Sequence, residues 1–341
     1  MSEQKPEYNV TGQDYTDRRH FRYSGPPLID IHSHVTMTAP SDGSTGAAGG
    51  SGREGSTEQA EVMLSEAREF GIARTVTMCP VQDIAPLREK FGDALVFNGM
   101  INKKKIDDSD DEAYKSLDAF LAEGIKILKL WSAPRGRERG LVVNAPWRIE
   151  SIKRAIAAGV QVVMVHVGDP DNWWNTVYKE TAKFGTKADQ YLPFREMLER
   201  FPEVTWIGAH MGGNPEHPDE LQRLLEDYPH LCLDTSATKW QVREISRHPE
   251  AIRNLITKFP DRFMFGSDLV TRYGLHKEHY TSRYWCQRTL FESHWSGTSP
   301  IADGDYVAAA GEPALPALRG IELPEEVLLK VYRLNALRIL G

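Results

Sequence analysis

The sequence sets two imidazoles one residue apart in His32-Ser33-His34, at the end of the run LIDIHSH. If that run is a strand, its two-residue period turns both rings to one face, which suits a single metal ion. Two further histidines close comparable runs, His166 in QVVMVHV and His210 in VTWIGAH, and Asp268 closes RFMFGSD. Imidazole nitrogen with carboxylate oxygen is the donor set expected for zinc or a similar divalent ion that keeps a position open. Such an ion lowers the pKa of bound water toward ~7 and polarises a carbonyl, supplying nucleophile and electrophile together. Asp268 is the candidate base for that water and the candidate proton donor to the leaving group, being the acid that ends a strand within the set. One histidine ending an apolar run is ordinarily a hydrogen-bonded core residue. Four of eleven so placed, with an aspartate, argue for a shared site. Asp30 has the parity of His32 and His34, so it either orients a histidine or fills a layer of the interior.

These residues meet only if the elements carrying them converge. From residue 28 onward, short apolar or β-branched runs alternate with longer segments of helical spacing, the pattern of repeated βα units around a parallel sheet. Eight strand-like runs begin at Leu28, Ala73, Ala94, Ile125, Gln161, Val204, His230 and Arg262. Eight match an α/β fold of the closed (β/α)8 TIM-barrel type better than a doubly wound open sheet, and a barrel brings all strand C-termini to one mouth. Helix starts are legible at Ser56 and Thr57, with a stop at Gly71, and at Pro146, with an end at Gly159. The chain therefore divides into an N-terminal extension, 1–27, and a barrel domain, 28–341. Within the domain, 40–57 is rich in Gly and Ser and reads as a flexible loop that could be a lid, without the spacing of a phosphate-binding loop. Residues 269–323 read as an insert after the eighth strand, with a helix around His276 to Phe291, before the amphipathic segment EEVLLKVYRLNALRIL. His276 and His279 lack the H-E-x-x-H pattern and are expected to be surface or insert residues.

The ordered motifs H-x-H on the first strand, V-H-V-G on the fifth, A-H-M-G-G on the sixth and F-G-S-D on the eighth resemble the amidohydrolase superfamily, in particular its amidohydrolase-related branch that also contains nonoxidative decarboxylases. The resemblance spans Asp30 to Asp268. It implies a (β/α)8 barrel with one divalent ion held by His32, His34, His166 and Asp268, zinc being expected first and manganese second. By the same resemblance His210 stands beside the metal-bound water, acting in proton transfer or substrate polarisation, with ligation as the alternative. In some relatives a lysine on the fourth strand is carboxylated and bridges two metals. Lys129 is the candidate for such a binuclear site; otherwise it anchors substrate or satisfies the barrel interior.

Loops after the strands carry specificity in this architecture, and here they are aromatic and cationic. Trp131 and Arg135 follow the fourth strand with Arg137 and Arg139, Trp174 follows the fifth with Asp169 and Trp173, Lys239 and Trp240 the seventh, and Arg272 and Tyr273 the eighth. Lys129, Trp131, Arg135, Trp174 and Arg272 are the substrate-binding candidates. Arginine forks recognise carboxylates and indoles offer apolar faces, so the expected partner is a small anionic cyclic or aromatic molecule. A net charge of -7 without a basic stripe argues against nucleic acid, and no run approaches ~18 apolar residues, so no membrane span is expected. The three cysteines are scattered, and MSEQKPEYNV lacks a signal-type apolar segment, so a reducing cytoplasm is the expected compartment. The leading expectation is a metal-dependent hydrolase of a C–N, lactone or ester bond. Decarboxylation of an aromatic or unsaturated acid is the alternative, and metal binding without turnover a second one. Trp285, Trp295 and the terminal helix could support a homodimer.

Overall fold

In the computed structural model, the described residues are 7–37, 55–271, 276–308, 311 and 313–341. The expected lid therefore lies outside the described residues except for 55–57, and Arg272 and Tyr273 lie outside them entirely. Nine strands form one parallel sheet: β1 (Leu28–His34), β2 (Ile72–Met78), β3 (Leu95–Met100), β4 (Ile127–Trp131), β5 (Val162–His166), β6 (Thr205–Gly208), β7 (Leu231–Asp234), β8 (Phe263–Met264) and β9 (Leu269–Val270). β1 to β8 are neighbours in chain order, and β9 pairs with β1 through Ser33 to Leu269 and His34 to Val270. With Ile31 N donating to Phe265 O (2.9 Å) and Asp268 N to His32 O (2.7 Å), the sheet closes on itself. The fold is a (β/α)8 barrel, as the count of strand-like runs implies.

The helices that cover the barrel begin and end where local chemistry dictates. Thr57–Glu69 is capped by Ser56, whose side chain accepts from Gln59 N (3.2 Å). The chain leaves that helix through Gly71 at φ +79°, a conformation glycine adopts without steric cost. Pro146–Ala157 opens on proline, whose missing N–H has no intrahelical partner to lose there. The helices Val81–Phe91, Asp110–Ala122, Lys187–Arg200, Pro218–Asp227 and Pro249–Lys258 continue the alternation. After β8 the helix Lys277–Glu292 completes it, packed between Thr57–Glu69 and Thr238–Ile245. Residues 7–27 lie along that last helix: Trp285 Nε1 donates to Asp17 O (3.0 Å), and Glu292 Oε2 accepts from the backbone of Arg22 and Tyr23 (both 2.9 Å).

Inside the barrel, Ile29, Ile31, Val76, Ile127, Val162, Met164, Ile207, Cys232 and Met264 form a closed apolar layer. Ala336 and Leu340 of the terminal helical segment join it and plug the barrel at the strand N-termini. Asn335 Nδ2 donates to Pro260 O and Phe263 O (both 2.8 Å), fixing that plug where β8 begins. With the base sealed by apolar side chains, the polar residues of the interior are left at the opposite end. Among the described residues, no helix is long and apolar enough to cross a membrane.

Candidate metal centre

At the mouth, the strand ends depart from the regular pattern the sequence suggests. β6 stops at Gly208, and His210 and Met211 follow in a tight turn at φ 58° and 53°. The eighth run is interrupted: Phe263–Met264 pairs with β7, the chain then bends, and Asp268 at φ 58° precedes Leu269–Val270 on β1. Ala237, just past β7, is also left-handed at φ 65°. Left-handed backbone costs a side-chain-bearing residue ~1–2 kcal/mol, and four of the five such residues described surround this one mouth. The penalty is offset by what the turns aim inward.

The two imidazoles of β1 converge on one carboxylate oxygen. His34 Nε2 lies 3.1 Å and His32 Nε2 3.4 Å from Asp268 Oδ1. Donor atoms of these three residues all lie within 4.8 Å of one another. His166, the fourth residue of the expected set, stands one ring further on: its centroid is 4.6 Å from that of His210, which is 4.9 Å from that of His32. Its Nε2 is engaged by Asp169 Oδ1 at 2.9 Å. Lys129, buried beside the same group, reaches His32 Nε2 at 3.4 Å. Burial lowers its ammonium pKa to about 8.

Asp234 at the end of β7 organises this group, and the sequence reading did not single it out. Its Oδ2 takes the Nδ1–H of His32 (2.8 Å), while Oδ1 accepts from His210 N (2.9 Å), Ser236 N (3.0 Å) and the Ser236 hydroxyl. Ser236 Oγ, its own proton committed to Asp234, accepts from His210 Nδ1 (2.8 Å). An ionised carboxylate only accepts, so it fixes the proton of His32 on Nδ1 directly and that of His210 on Nδ1 through the serine. Both rings then offer Nε2 lone pairs. Burial opposes ionisation of Asp234, but the charge and hydrogen bond of His32 outweigh it and hold the carboxyl well below the usual range. Burial pushes His32 and His210 below the ordinary imidazole range, helped by Lys129 at His32 and by His166 at His210. At Asp268 burial again opposes ionisation, and the His34 hydrogen bond with the charges of His210 and His32 prevails, keeping it anionic. The signal for Asp234 was present in HLCLDTS, an acid ending an apolar run as Asp268 does.

Asp30 does not orient an imidazole. Its carboxylate accepts from Ser267 N (3.0 Å), Ser267 Oγ (2.5 Å) and the backbone N of His32 (3.1 Å), tying β1 to the residue before Asp268. Burial raises its pKa to about 7.

An aromatic wall stands over the group. Trp240 meets His210 (5.3 Å) and His166 (6.2 Å) edge-on, Trp173 meets Trp240 (5.1 Å), and Trp131 meets His166 (6.4 Å). Arg135 is exposed, with its guanidinium 5.1 Å from the Trp173 ring centre and 6.0 Å from that of Tyr178, whose hydroxyl it meets. Arg139 is used otherwise, donating to Lys103 O (2.6 Å) and Lys104 O (3.0 Å). Trp174 is partly buried and donates to Asp169 O (3.2 Å). His279 lies in the helix of the expected insert, the second of its two expected placements, and is buried there because that helix is enclosed between its neighbours.

The donor chemistry fits a divalent cation. Imidazole Nε2 atoms and an anionic oxygen converge, the tautomers of His32 and His210 are fixed from behind, and only His34 (18%) and Asp268 (21%) retain appreciable side-chain exposure. The open side of the group therefore faces solvent.

A family model described as Amidohydrolase matches residues 29–341. No curated protein matches the chain in sequence. Among solved structures, the chain is similar to an amidohydrolase II at 16% identity, covering 92% of this chain and 99% of that one, with a TM-score of 0.55. It is also similar to 4-oxalomesaconate hydratase of Rhodopseudomonas palustris (15% identity, 92% and 95% covered, TM-score 0.50). A third is 5-carboxyvanillate decarboxylase of Novosphingobium aromaticivorans, solved with manganese and 4-hydroxy-3-methoxy-5-nitrobenzoic acid (12% identity, 93% and 96% covered, TM-score 0.50). At these identities the likeness establishes the fold alone.

Proposed function

The chain belongs to the amidohydrolase family, and from that premise we propose that it is a metal-dependent hydrolase of a small anionic cyclic or aromatic molecule, cleaving a C–N, lactone or ester bond. The observation that carries this reading is the placement of Asp268 Oδ1 within 3.4 Å of two imidazole nitrogens, on the one side of the group that water reaches. His32, His34, Asp268 and, across His210, His166 would hold the ion, zinc being the first expectation and manganese the second. When bound, it would supply an acidified water and a polarised carbonyl.

The protein side of the reaction follows from the hydrogen bonds. Asp268, anionic and partly exposed, takes the proton of the attacking water and returns it to the departing nitrogen or oxygen. His210 presents an Nε2 lone pair, because its Nδ1 proton is given to Ser236, so it accepts a hydrogen bond from the nucleophile rather than donating one to a carbonyl. Lys129, buried 3.4 Å from His32, contributes positive charge beside the reacting centre. Trp131 and Trp240 limit the space to a flat substrate, and Arg135 meets its carboxylate outside.

A second reading, nonoxidative decarboxylation, is favoured by that same aromatic wall, which suits a planar ring acid. Turnover in oxygen-18 water separates the two. Label appearing in the product with no carbon dioxide released is expected for hydrolysis; carbon dioxide without label establishes the lyase. Activity that survives both chelation and His32→Ala refutes either one.

A further inference from the structure

Behind His166 runs a buried chain of hydrogen bonds that the proposed chemistry does not use. His166 Nε2 faces Asp169 Oδ1 at 2.9 Å, and the other oxygen of that carboxylate accepts the hydroxyl of Tyr178 at 2.6 Å. Asp169 is fully buried, Tyr178 2% exposed and His166 4% exposed, so water does not compete for these bonds. The chain is anchored at both ends. Trp174 Nε1 donates to the backbone oxygen of Asp169 (3.2 Å), and the Tyr178 ring is held by Trp174 and Phe184 (both 5.1 Å) and Trp173 (6.1 Å).

This arrangement has one chemical consequence. Tyr178 donates to Asp169, so the carboxylate is free to accept only from the imidazole, and the ring proton of His166 belongs on Nε2. We infer that Asp169 and Tyr178 are positioning residues that lock His166 as the Nε2–H tautomer, with Nδ1 as the nitrogen carrying its lone pair. His166 is thereby opposite in tautomer to His32 and His210, whose protons Asp234 and Ser236 hold on Nδ1. The hub on β7 thus sets two rings one way, and the β5 loop sets the third the other way. Asp169 lies three residues beyond His166, so the loop that carries the aromatic cluster also fixes the imidazole. The consequence for ligand binding rests on the metal-site reading above; the tautomer itself does not.

The test is nitrogen-15 NMR of the metal-free protein, with His166 assigned through His166→Gln. Wild type is expected to show His166 protonated at Nε2 and bare at Nδ1. Asp169→Asn lets an amide N–H face Nε2, and is expected to move the proton to Nδ1 or to average the two forms. Tyr178→Phe, which keeps the ring in its cluster, is expected to leave the Nε2–H form dominant but exchange-broadened. In chelator competition, zinc affinity is expected to fall ~10–100-fold in Asp169→Asn and severalfold in Tyr178→Phe. A wild-type His166 protonated at Nδ1 overturns the inference, as does a folded Asp169→Ala protein, which lacks the acceptor altogether, whose His166 stays sharply protonated at Nε2. A wild type with the expected tautomer that binds neither zinc nor manganese refutes the metal reading and leaves the positioning role standing.

Discussion

Replacing Asp234 with asparagine is the sharpest probe of how the centre is held, because the change is isosteric and removes one acceptor. The native carboxylate accepts four hydrogen bonds, from His32 Nδ1, His210 N, Ser236 N and the Ser236 hydroxyl. Asparagine retains one oxygen, which satisfies the two backbone N–H groups if it takes the position of Oδ1. Its amide nitrogen then confronts His32 Nδ1, and two donors face each other. The imidazole relieves this only by moving its proton to Nε2, the nitrogen that points at Asp268 and Lys129. Losing one hydrogen bond to a charged acceptor costs ~1.5–3 kcal/mol. Removing an orienting partner costs a further ~10–100-fold in metal affinity, or ~1.4–2.8 kcal/mol of binding free energy. Urea unfolding of metal-free protein and chelator competition with zinc measure them separately. The tautomer argument fails if Asp234→Asn unfolds within ~0.5 kcal/mol of wild type and binds zinc within twofold. Asp234→Ala leaves three buried N–H groups without an acceptor, and is expected to cost ~3–5 kcal/mol.

Other perturbations address the remaining steps. Asp268→Asn is expected to lower kcat by ~10²-fold or more, since a positioned base contributes ~10²–10⁴; a steady-state rate within tenfold of wild type excludes Asp268 as the base. Burial holds His279 well below the ordinary imidazole value of 6.5, so below that pH the unfolded chain binds a proton the native one refuses. The stability this affords is fully present above pH ~6.5 and is lost as pH falls from there through the lowered native pKa. The urea midpoint should therefore drop on acidification, and His279→Gln should flatten that limb; an unchanged slope rejects the assignment. Gly213 sits at φ +71°, and a Cβ there would fall 2.1 Å from Gly168 O. Gly213→Ala is expected to destabilise by more than ~2 kcal/mol and to weaken zinc binding, because the loops carrying His166 and His210 must separate; a neutral unfolding midpoint contradicts this.

The amino-acid sequence by itself determined the barrel, because eight buried parallel strands must read as apolar runs separated by amphipathic segments, a pattern that survives without coordinates. It also determined that His32, His34 and Asp268 are neighbours, since strand C-termini share one rim. Tertiary structure alone decided how they are held. A hydrogen bond between residues some 200 positions apart, such as His32 to Asp234, leaves no local spacing to read. Asp30 had the right parity to orient an imidazole and instead binds Ser267, while Asp234 does that work from another strand. The left-handed turns at His210 and Asp268 were likewise hidden, because side-chain-bearing residues disfavour that backbone and only the surrounding contacts impose it. Periodicity encodes which face a residue occupies; the partner it meets there depends on strands that approach only when the barrel closes.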